Sequence, residues 1–197
     1  MAAKKLKVEK KQKTESKTEK VKKEKKDRFN EIKIEKIVLS VAGTAEKLEK
    51  GVRLLKVISG MNPNKMQSTK RIPSLGVRPG LETGARVTVR KERIKPLLAR
   101  LLQAVSNEVK ESSFENNHFS FGIKEYIEIP EMEYQRDIGI LGLNVTVDFV
   151  RPGKRVKRKK IKQGKIPKRQ EVSREEIKKY MVENYKISLK EKEHNEN

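Results

Sequence analysis

Positive charge is segregated along this chain, and the segregation limits which residues can build a folded core. Residues 1–26 contain 12 lysines and 4 glutamates, and residues 151–170 contain 11 basic residues and no acid. These two segments supply +19 of the formal net charge of +22, and the other residues are nearly balanced. A low-complexity Lys/Glu tract cannot bury enough apolar surface to offset the entropy of ordering. We therefore expect a disordered basic extension over residues 1–28, a polar tail over 190–197, and a core built from residues between them.

Four stretches show the alternation of apolar and polar residues, or the short apolar run, that is typical of β-strands. They are residues 31–41, 86–90, 118–129 and 141–150. Alternation places the apolar side chains of each strand on one face. A sheet built from these strands has one face for a core, and its other face and loops stay free for a ligand.

Apolar residues spaced by three and four positions predict three helices. The first covers residues 48–58 and is stopped by a following glycine, and the second covers residues 92–105. The third lies in the C-terminal region 171–189 and runs from Arg174 to about Tyr185, since Ser173 and Glu176 have the spacing of a capping box. Helices interspersed with half-buried strands are typical of an α+β fold.

The predicted architecture is a mostly antiparallel sheet with helices packed on one face, in a single domain of residues 29–189. Residues 106–117 are polar and are expected to form a loop. The connection over residues 61–85 is so long that it should be functional or contain short strands. Residues 151–170 form a basic insertion in this domain, anchored at both ends by regular structure.

The side chains that catalysis and metal binding require are scarce. The chain has no cysteine, which excludes disulfides and thiolate metal sites, and its histidines are His118 and His194. Glu131 and Glu133 are close in sequence, but a carboxylate pair without a cleft is weak support for acid–base catalysis. We expect a non-enzyme without metal or cofactor. No apolar run approaches the roughly 20 residues that span a bilayer, so we expect no membrane partner. We also expect a cytoplasmic protein and no homo-oligomer.

The basic insertion is the strongest functional signal in the sequence. A polyanion is the usual partner of such charge, and neither basic segment has the aromatic or leucine face of a membrane-surface helix. Phosphate contacts would supply affinity, and RNA shape would supply recognition. The alternatives are a localisation-like basic run or a solvated loop. The candidate RNA-binding residues are Arg151, Lys154, Arg155, Lys157, Arg158, Lys159, Lys160, Lys162, Lys165, Lys168 and Arg169.

A second candidate site lies in the connection over residues 61–78. Its basic and polar side chains suit contacts to RNA backbone and 2′-hydroxyl groups. An ordinary connection with incidental charge is the alternative. The candidates are Lys65, Gln67, Thr69, Lys70, Arg71 and Arg78.

Several motifs resemble one protein family when taken in order. They are IVLSVAG, SGMNPNKMQSTKRIPSLGVRPG, GARVTVRKER, FSFGIKEYIEIPEMEY and IGILGLNVTVDFVRPG. Over residues 30–189 the chain resembles the universal large-subunit ribosomal protein L-five family, which binds 5S rRNA. The basic insertion followed by SREEIKKYM is similar to the archaeal branch.

The resemblance implies a structural constituent of the large ribosomal subunit rather than an enzyme. It implies binding of 5S rRNA and large-subunit rRNA in the central protuberance. It also implies contact with P-site tRNA through the loop at residues 61–78, and a bridge to a small-subunit protein. The alternative functions are a ribosome-independent RNA chaperone or a charge-driven RNA-binding protein; an RNA-modifying enzyme is disfavoured.

Overall fold

A computed structural model describes residues 30–190, which form strands, α-helices and short 3-10 turns. The strands are β1 (Lys33–Ala42), β2 (Asn64–Gln67), β3 (Glu82–Arg90), β4 (Glu108–Lys110), β5 (Phe114–Glu115), β6 (His118–Ile123), β7 (Leu143–Val150) and β8 (Ser188–Lys190). The helices are α1 (Glu46–Ser59), α2 (Ile94–Gln103), α3 (Arg155–Arg158) and α4 (Arg174–Tyr185). The predicted extension over residues 1–28 and the tail beyond residue 190 lie outside the described residues.

The described residues divide into two compact units. The larger consists of residues 34–149 and 172–190, and the smaller contains residues 150–171 together with 30–33. The larger unit contains nearly all of the sheet and its hydrophobic core, and the smaller contains the basic insertion.

A six-stranded sheet of order β2-β3-β1-β7-β6-β5 organises the larger unit. The registered pairs β1–β3, β2–β3, β5–β6 and β6–β7 are all antiparallel. Apolar side chains meet across the pairs on one face, as in Leu39 opposite Val87 and Phe119 opposite Val147. All four are buried. The predicted α+β fold with a mostly antiparallel sheet is confirmed.

Helices α1 and α4 pack on that same face, where they contact Val41 and Phe149 respectively. At Gly51 of α1, a Cβ would lie 2.8 Å from Cγ1 of Val41 on β1, so glycine allows this close approach. Helix α1 ends at Ser59, and the following Gly60 has a left-handed backbone (φ 64°) and donates its amide to the Lys56 carbonyl oxygen at 2.9 Å. The capping box of α4 is confirmed, because the Ser173 hydroxyl and the Glu176 carboxylate each accept from the other residue's amide.

Two local predictions need correction. Residues 106–117 are not a plain loop, because β4 pairs in parallel with β8 and Phe114 is buried beside Phe119. The strand predicted over 118–129 stops at Ile123, since Tyr126 turns inward in a 3-10 turn and its hydroxyl accepts from the Gln135 amide. The helix predicted from Arg174 to about Tyr185 is confirmed as α4, and the short strand β8 follows it.

The connection over residues 61–85 contains regular structure, as its length suggested. Strand β2 pairs with β3 up to a bulge at Gln67, and residues 73–75 form a 3-10 turn. The basic insertion is also more regular than a plain loop, since α3 lies inside it.

Candidate nucleic-acid interface

The basic insertion, residues 151–170, is a folded excursion that follows β7 and precedes α4 in the chain. After α3 the backbone doubles back, and the Gly164 amide donates to the Val156 carbonyl oxygen at 3.2 Å. Gln163 Nε2 donates to the Lys157 carbonyl oxygen at 2.5 Å. A Cβ at residue 164 would lie 2.8 Å from Val156 Cγ1, so the return depends on glycine. The insertion therefore presents its cations from a defined backbone.

Four of the predicted rRNA-binding residues line one open hollow of about 510 Å³. Its walls are Arg155, Arg158, Lys159, Lys160 and Ile161. The guanidinium and ammonium groups of the residues that line it suit the oxygens of a phosphate. The Ile161 side chain is 79% exposed and offers an apolar contact beside them. The hollow is thus suited to a nucleic-acid backbone with its adjoining sugar or base.

Most of the other predicted cations of the insertion are also accessible. Lys157, Lys162, Lys165, Lys168 and Arg169 are exposed, whereas Arg151 and Lys154 are partly buried. Arg151 has an internal role, because its Nη1 donates to the Arg169 carbonyl oxygen at 3.0 Å. This bond joins the two ends of the insertion.

The second predicted site, in residues 61–78, is a hairpin extension of β2 and β3. The Ser68 amide donates to the Leu81 carbonyl oxygen at 2.8 Å, and the Gly80 amide donates to the Ser68 carbonyl oxygen at 2.8 Å. Ile72 and Val77 then form an isolated antiparallel bridge. These bonds shape a projecting hairpin. Gln67, Thr69, Lys70, Arg71 and Arg78 are exposed on it.

Lys65 differs from the other hairpin cations because it has an acidic partner. Its Nζ lies 2.8 Å from Oε2 of Glu82 on the neighbouring strand. The hydrogen bond to Glu82, with the attraction between the charges, raises the pKa of the Lys65 ammonium above its usual value. An incoming phosphate must compete with Glu82 for this ammonium.

The sheet face opposite the buried one is a surface for which the sequence had suggested no residues by name. It carries small and polar side chains that are partly or fully exposed: Val38, Ser40 and Ala42 of β1, Gly84, Arg86 and Thr88 of β3, Ser120 and Gly122 of β6, and Asn144 and Thr146 of β7. Cross-strand pairs such as Ser40 with Arg86 and Ser120 with Thr146 place hydroxyl and cationic groups side by side. The sequence shows which residues of each alternating strand are polar. The order of the strands in the sheet is needed to know that these residues form one surface.

An acidic surface, residues 125–140, contrasts with the positive charge elsewhere. It exposes Glu125, Glu128, Glu131, Glu133 and Asp137 together with the apolar side chains Ile127, Tyr134 and Ile140. Arg100 of α2 holds the segment, since Nη2 donates to the Pro130 carbonyl oxygen at 3.1 Å and Nε lies 3.5 Å from Glu131. Such a surface repels nucleic acid and suits a basic protein.

The structure places the acidic and histidine side chains that the sequence analysis considered for catalysis at accessible positions. No group of three or more metal-ligating side chains occurs within residues 30–190. The Glu131 side chain is 76% exposed and paired with Arg100, so it does not lie in a cleft with Glu133. His118 Nε2 lies 3.2 Å from Glu115 at the exposed turn between β5 and β6. Over the same residues, no helix has the length and apolar character needed to cross a bilayer.

Comparison with known proteins gives one consistent result. Residues 82–175 match the family model for the C-terminus of the ribosomal L-five family. The large ribosomal subunit protein uL5 of Nanoarchaeum equitans is 43% identical over 132 residues, which cover 66% of this chain and 78% of that protein. The uL5 protein of Pyrobaculum aerophilum is 40% identical over 132 residues, covering 66% and 74%. That of Sulfolobus acidocaldarius is 34% identical over 154 residues, covering 78% and 86%.

Proposed function

Because this chain belongs to the ribosomal L-five family and is of the archaeal type, we propose that it binds 5S rRNA and helps attach it in the central protuberance. Family membership makes the protein a structural constituent of the large ribosomal subunit and not an enzyme. It also assigns the protein to the cytoplasmic ribosome, in assembly with rRNA. We propose residues 29–189 as the 5S-rRNA-binding domain, with different surfaces of it contacting different RNA molecules.

The observation that carries the proposal is the acid-free basic insertion. Its 11 cations lie on a folded backbone, and nine of them are exposed. Ordering a flexible basic tail on RNA costs conformational entropy, and a prefolded insertion avoids much of that cost. Contacts from these cations to phosphates release counterions, which favours binding. Large-subunit rRNA and 5S rRNA are the polyanions proposed for this insertion.

The open face of the sheet is the proposed surface for recognising 5S rRNA. Small residues, such as Gly84, Ser120 and Gly122, let an RNA backbone approach the strands closely. Hydroxyls and Arg86 can bond to 2′-hydroxyl and phosphate groups across the wide minor groove of an RNA helix. In this proposal the face recognises the shape of the RNA, and the insertion supplies affinity.

The hairpin of residues 61–78 is the proposed contact for P-site tRNA. It projects beyond β2 and β3 and exposes Lys70, Arg71 and Arg78 with the polar side chains of Gln67 and Thr69. Lys65 lies at the base of the hairpin and forms an ion pair with Glu82. A projecting hairpin with its own internal bonds can reach a second RNA while the sheet stays bound to the first.

The acidic surface is the proposed contact for a small-subunit protein across the intersubunit bridge. Its carboxylates exclude rRNA by repulsion, and its exposed Tyr134 and Ile140 can pack on a protein partner. Replacing Glu133 and Asp137 with lysine should weaken the joining of purified subunits and leave 5S rRNA binding unchanged. If joining is unaffected, the bridge lies elsewhere on the protein.

A competition assay tests the proposal against an RNA chaperone or a charge-driven binder. Labelled 5S rRNA is bound at moderate salt and challenged with other structured RNAs of equal length. We expect one protein per 5S rRNA and a clear preference for 5S rRNA over every competitor. Equal competition by every duplex RNA would favour the chaperone alternative and contradict the proposed function.

A further inference from the structure

Two buried residues flank the basic insertion and share a hydrogen-bonding partner. Phe149 precedes it and Val172 follows it, and they are 1% and 0% exposed. The Phe149 amide donates to the Asn117 carbonyl oxygen at 2.7 Å. The Asn117 amide donates to the Val172 carbonyl oxygen at 3.0 Å, and the Val172 amide donates to Asn117 Oδ1 at 2.8 Å. One residue thus connects both ends of the excursion.

The turn that contains Asn117 is shaped for this role. It joins β5 to β6, and Asn117 has a left-handed backbone (φ 67°), which asparagine tolerates better than most residues. Glycine would satisfy the backbone equally well, but only a side-chain acceptor can reach the Val172 amide. Asn116 occupies the other position of the turn and is exposed.

Packing and hydrogen bonds act together at both flanks of the insertion. The Phe149 ring lies 5.9 Å from the ring of Phe119 and 5.7 Å edge-on from that of Tyr180. Val172 is fully buried, and Asn117 adds two hydrogen bonds to its backbone. Of the three bonds that Asn117 makes to the flanks, only the one from the Val172 amide uses the side chain, so a substitution can remove it and leave the backbone bonds in place.

We propose that Asn117 is a positioning residue that closes the neck of the basic insertion and thereby sets its affinity for RNA. Asn117 does not contact RNA in this scheme. It limits the range of backbone conformations that the insertion adopts. Less conformational entropy is therefore lost when the cations of the insertion bind phosphates. This inference rests on the proposed function for its RNA consequence, but the closure of the neck has a readout of its own.

Three full-length variants separate the side-chain bond from other effects. N117G keeps the left-handed turn and removes the acceptor. N117D keeps an oxygen acceptor in the same place, and N116D adds the same negative charge at the neighbouring position without the bond. We measure tryptic cleavage between residues 154 and 169, with sites mapped by mass spectrometry, and binding of 5S rRNA as a function of salt.

We expect cleavage in N117G to be about threefold to tenfold faster than in the parent protein, the range that one net hydrogen bond allows. N117D should resist cleavage like the parent. Affinity of N117G for RNA should fall by a similar factor with an unchanged salt slope, because no cation is lost. N117D should bind RNA as N116D does, since each adds one negative charge to the same turn and both keep the bond to Val172.

Equal cleavage rates in N117G and N117D would overturn closure of the neck. Faster cleavage of N117G with parental RNA affinity would overturn the positioning role. A lower salt slope in N117G would also overturn it, because lost phosphate contacts would then be the cause. Failure of the parent protein to prefer 5S rRNA would instead count against the proposed function, and the cleavage measurements would still report on the neck.

Discussion

Neutralising four lysines of the basic insertion should reduce the salt dependence of RNA binding by a calculable amount. The change replaces Lys157, Lys159, Lys160 and Lys162 with glutamine. All four are exposed, and glutamine preserves much of the side-chain length and polarity while removing the charge. The helical turn α3 and the return at Gly164 depend on backbone bonds and on packing, so the fold of the insertion should persist.

The magnitude follows from counterion release. Each phosphate neutralised by a cation adds about 0.9 to the steepness of log affinity against log salt, so four contacts correspond to about 3.6. Raising salt fourfold, from about 50 to 200 mM, lowers the affinity of both proteins for RNA. The factor by which affinity falls should be about 150 times smaller for the variant than for the parent protein. A smaller difference between the salt slopes of the two proteins would show how many of the four lysines contact phosphate.

Fluorescence anisotropy of end-labelled 5S rRNA over that salt range measures both slopes. A matched control removes the same charge from α1, with Lys47, Lys50, Arg53 and Lys56 changed to glutamine. That control should change the slope by less than about one contact, since α1 lies outside the proposed interface. An unchanged slope in the insertion variant, or equal changes in both variants, would refute the reasoning.

Replacing Lys70 and Arg71 with alanine should weaken binding of P-site tRNA to assembled ribosomes and leave 5S rRNA binding intact; loss of 5S rRNA binding would mean that the hairpin contacts the other RNA. The E82Q variant releases the Lys65 ammonium from its ion pair and should strengthen tRNA binding in a toeprinting or filter assay; a decrease would show that the pair itself shapes the hairpin. Glu111 accepts a hydrogen bond from a lysine on α4, and this bond lowers the pKa of Glu111 below its usual 4.5. The pair therefore stabilises the fold above about pH 4.5. That stabilisation is lost as pH falls through the lowered pKa. The E111Q variant should be less stable at neutral pH and less acid-sensitive in thermal unfolding; identical acid sensitivity would contradict this role of the pair.

The long periodic elements could be predicted from the sequence because their own residues determine them. Strand β7 alternates along its whole length, and α1 combines an apolar stripe with a glycine stop. Short elements with distant partners could not. Strand β4 has three residues, and its partner β8 lies near the far end of the described chain. The stretch after Ile123 has the same alternation as a strand, but burial of Tyr126 turns the chain inward.

The candidate interface divides in the same way. Charge is visible in the sequence, so the cations of the insertion and of the hairpin could be named directly. Bonds to the backbone are not visible in the sequence, so the role of Asn117, which bonds 55 residues away to Val172, could not be foreseen. The brace from Arg151 to the Arg169 carbonyl was equally hidden, although both residues were named as RNA contacts.

Association with 5S rRNA in the large subunit is the central claim, and one fractionation tests it most directly. Affinity-tagged protein is expressed in an archaeal cell, and lysates are separated on a sucrose gradient. Large-subunit fractions are then stripped stepwise with salt and EDTA. We predict that the protein sediments with the large subunit and is released together with an equal amount of 5S rRNA. Protein that remains at the top of the gradient, or that leaves the subunit without 5S rRNA, would contradict the account.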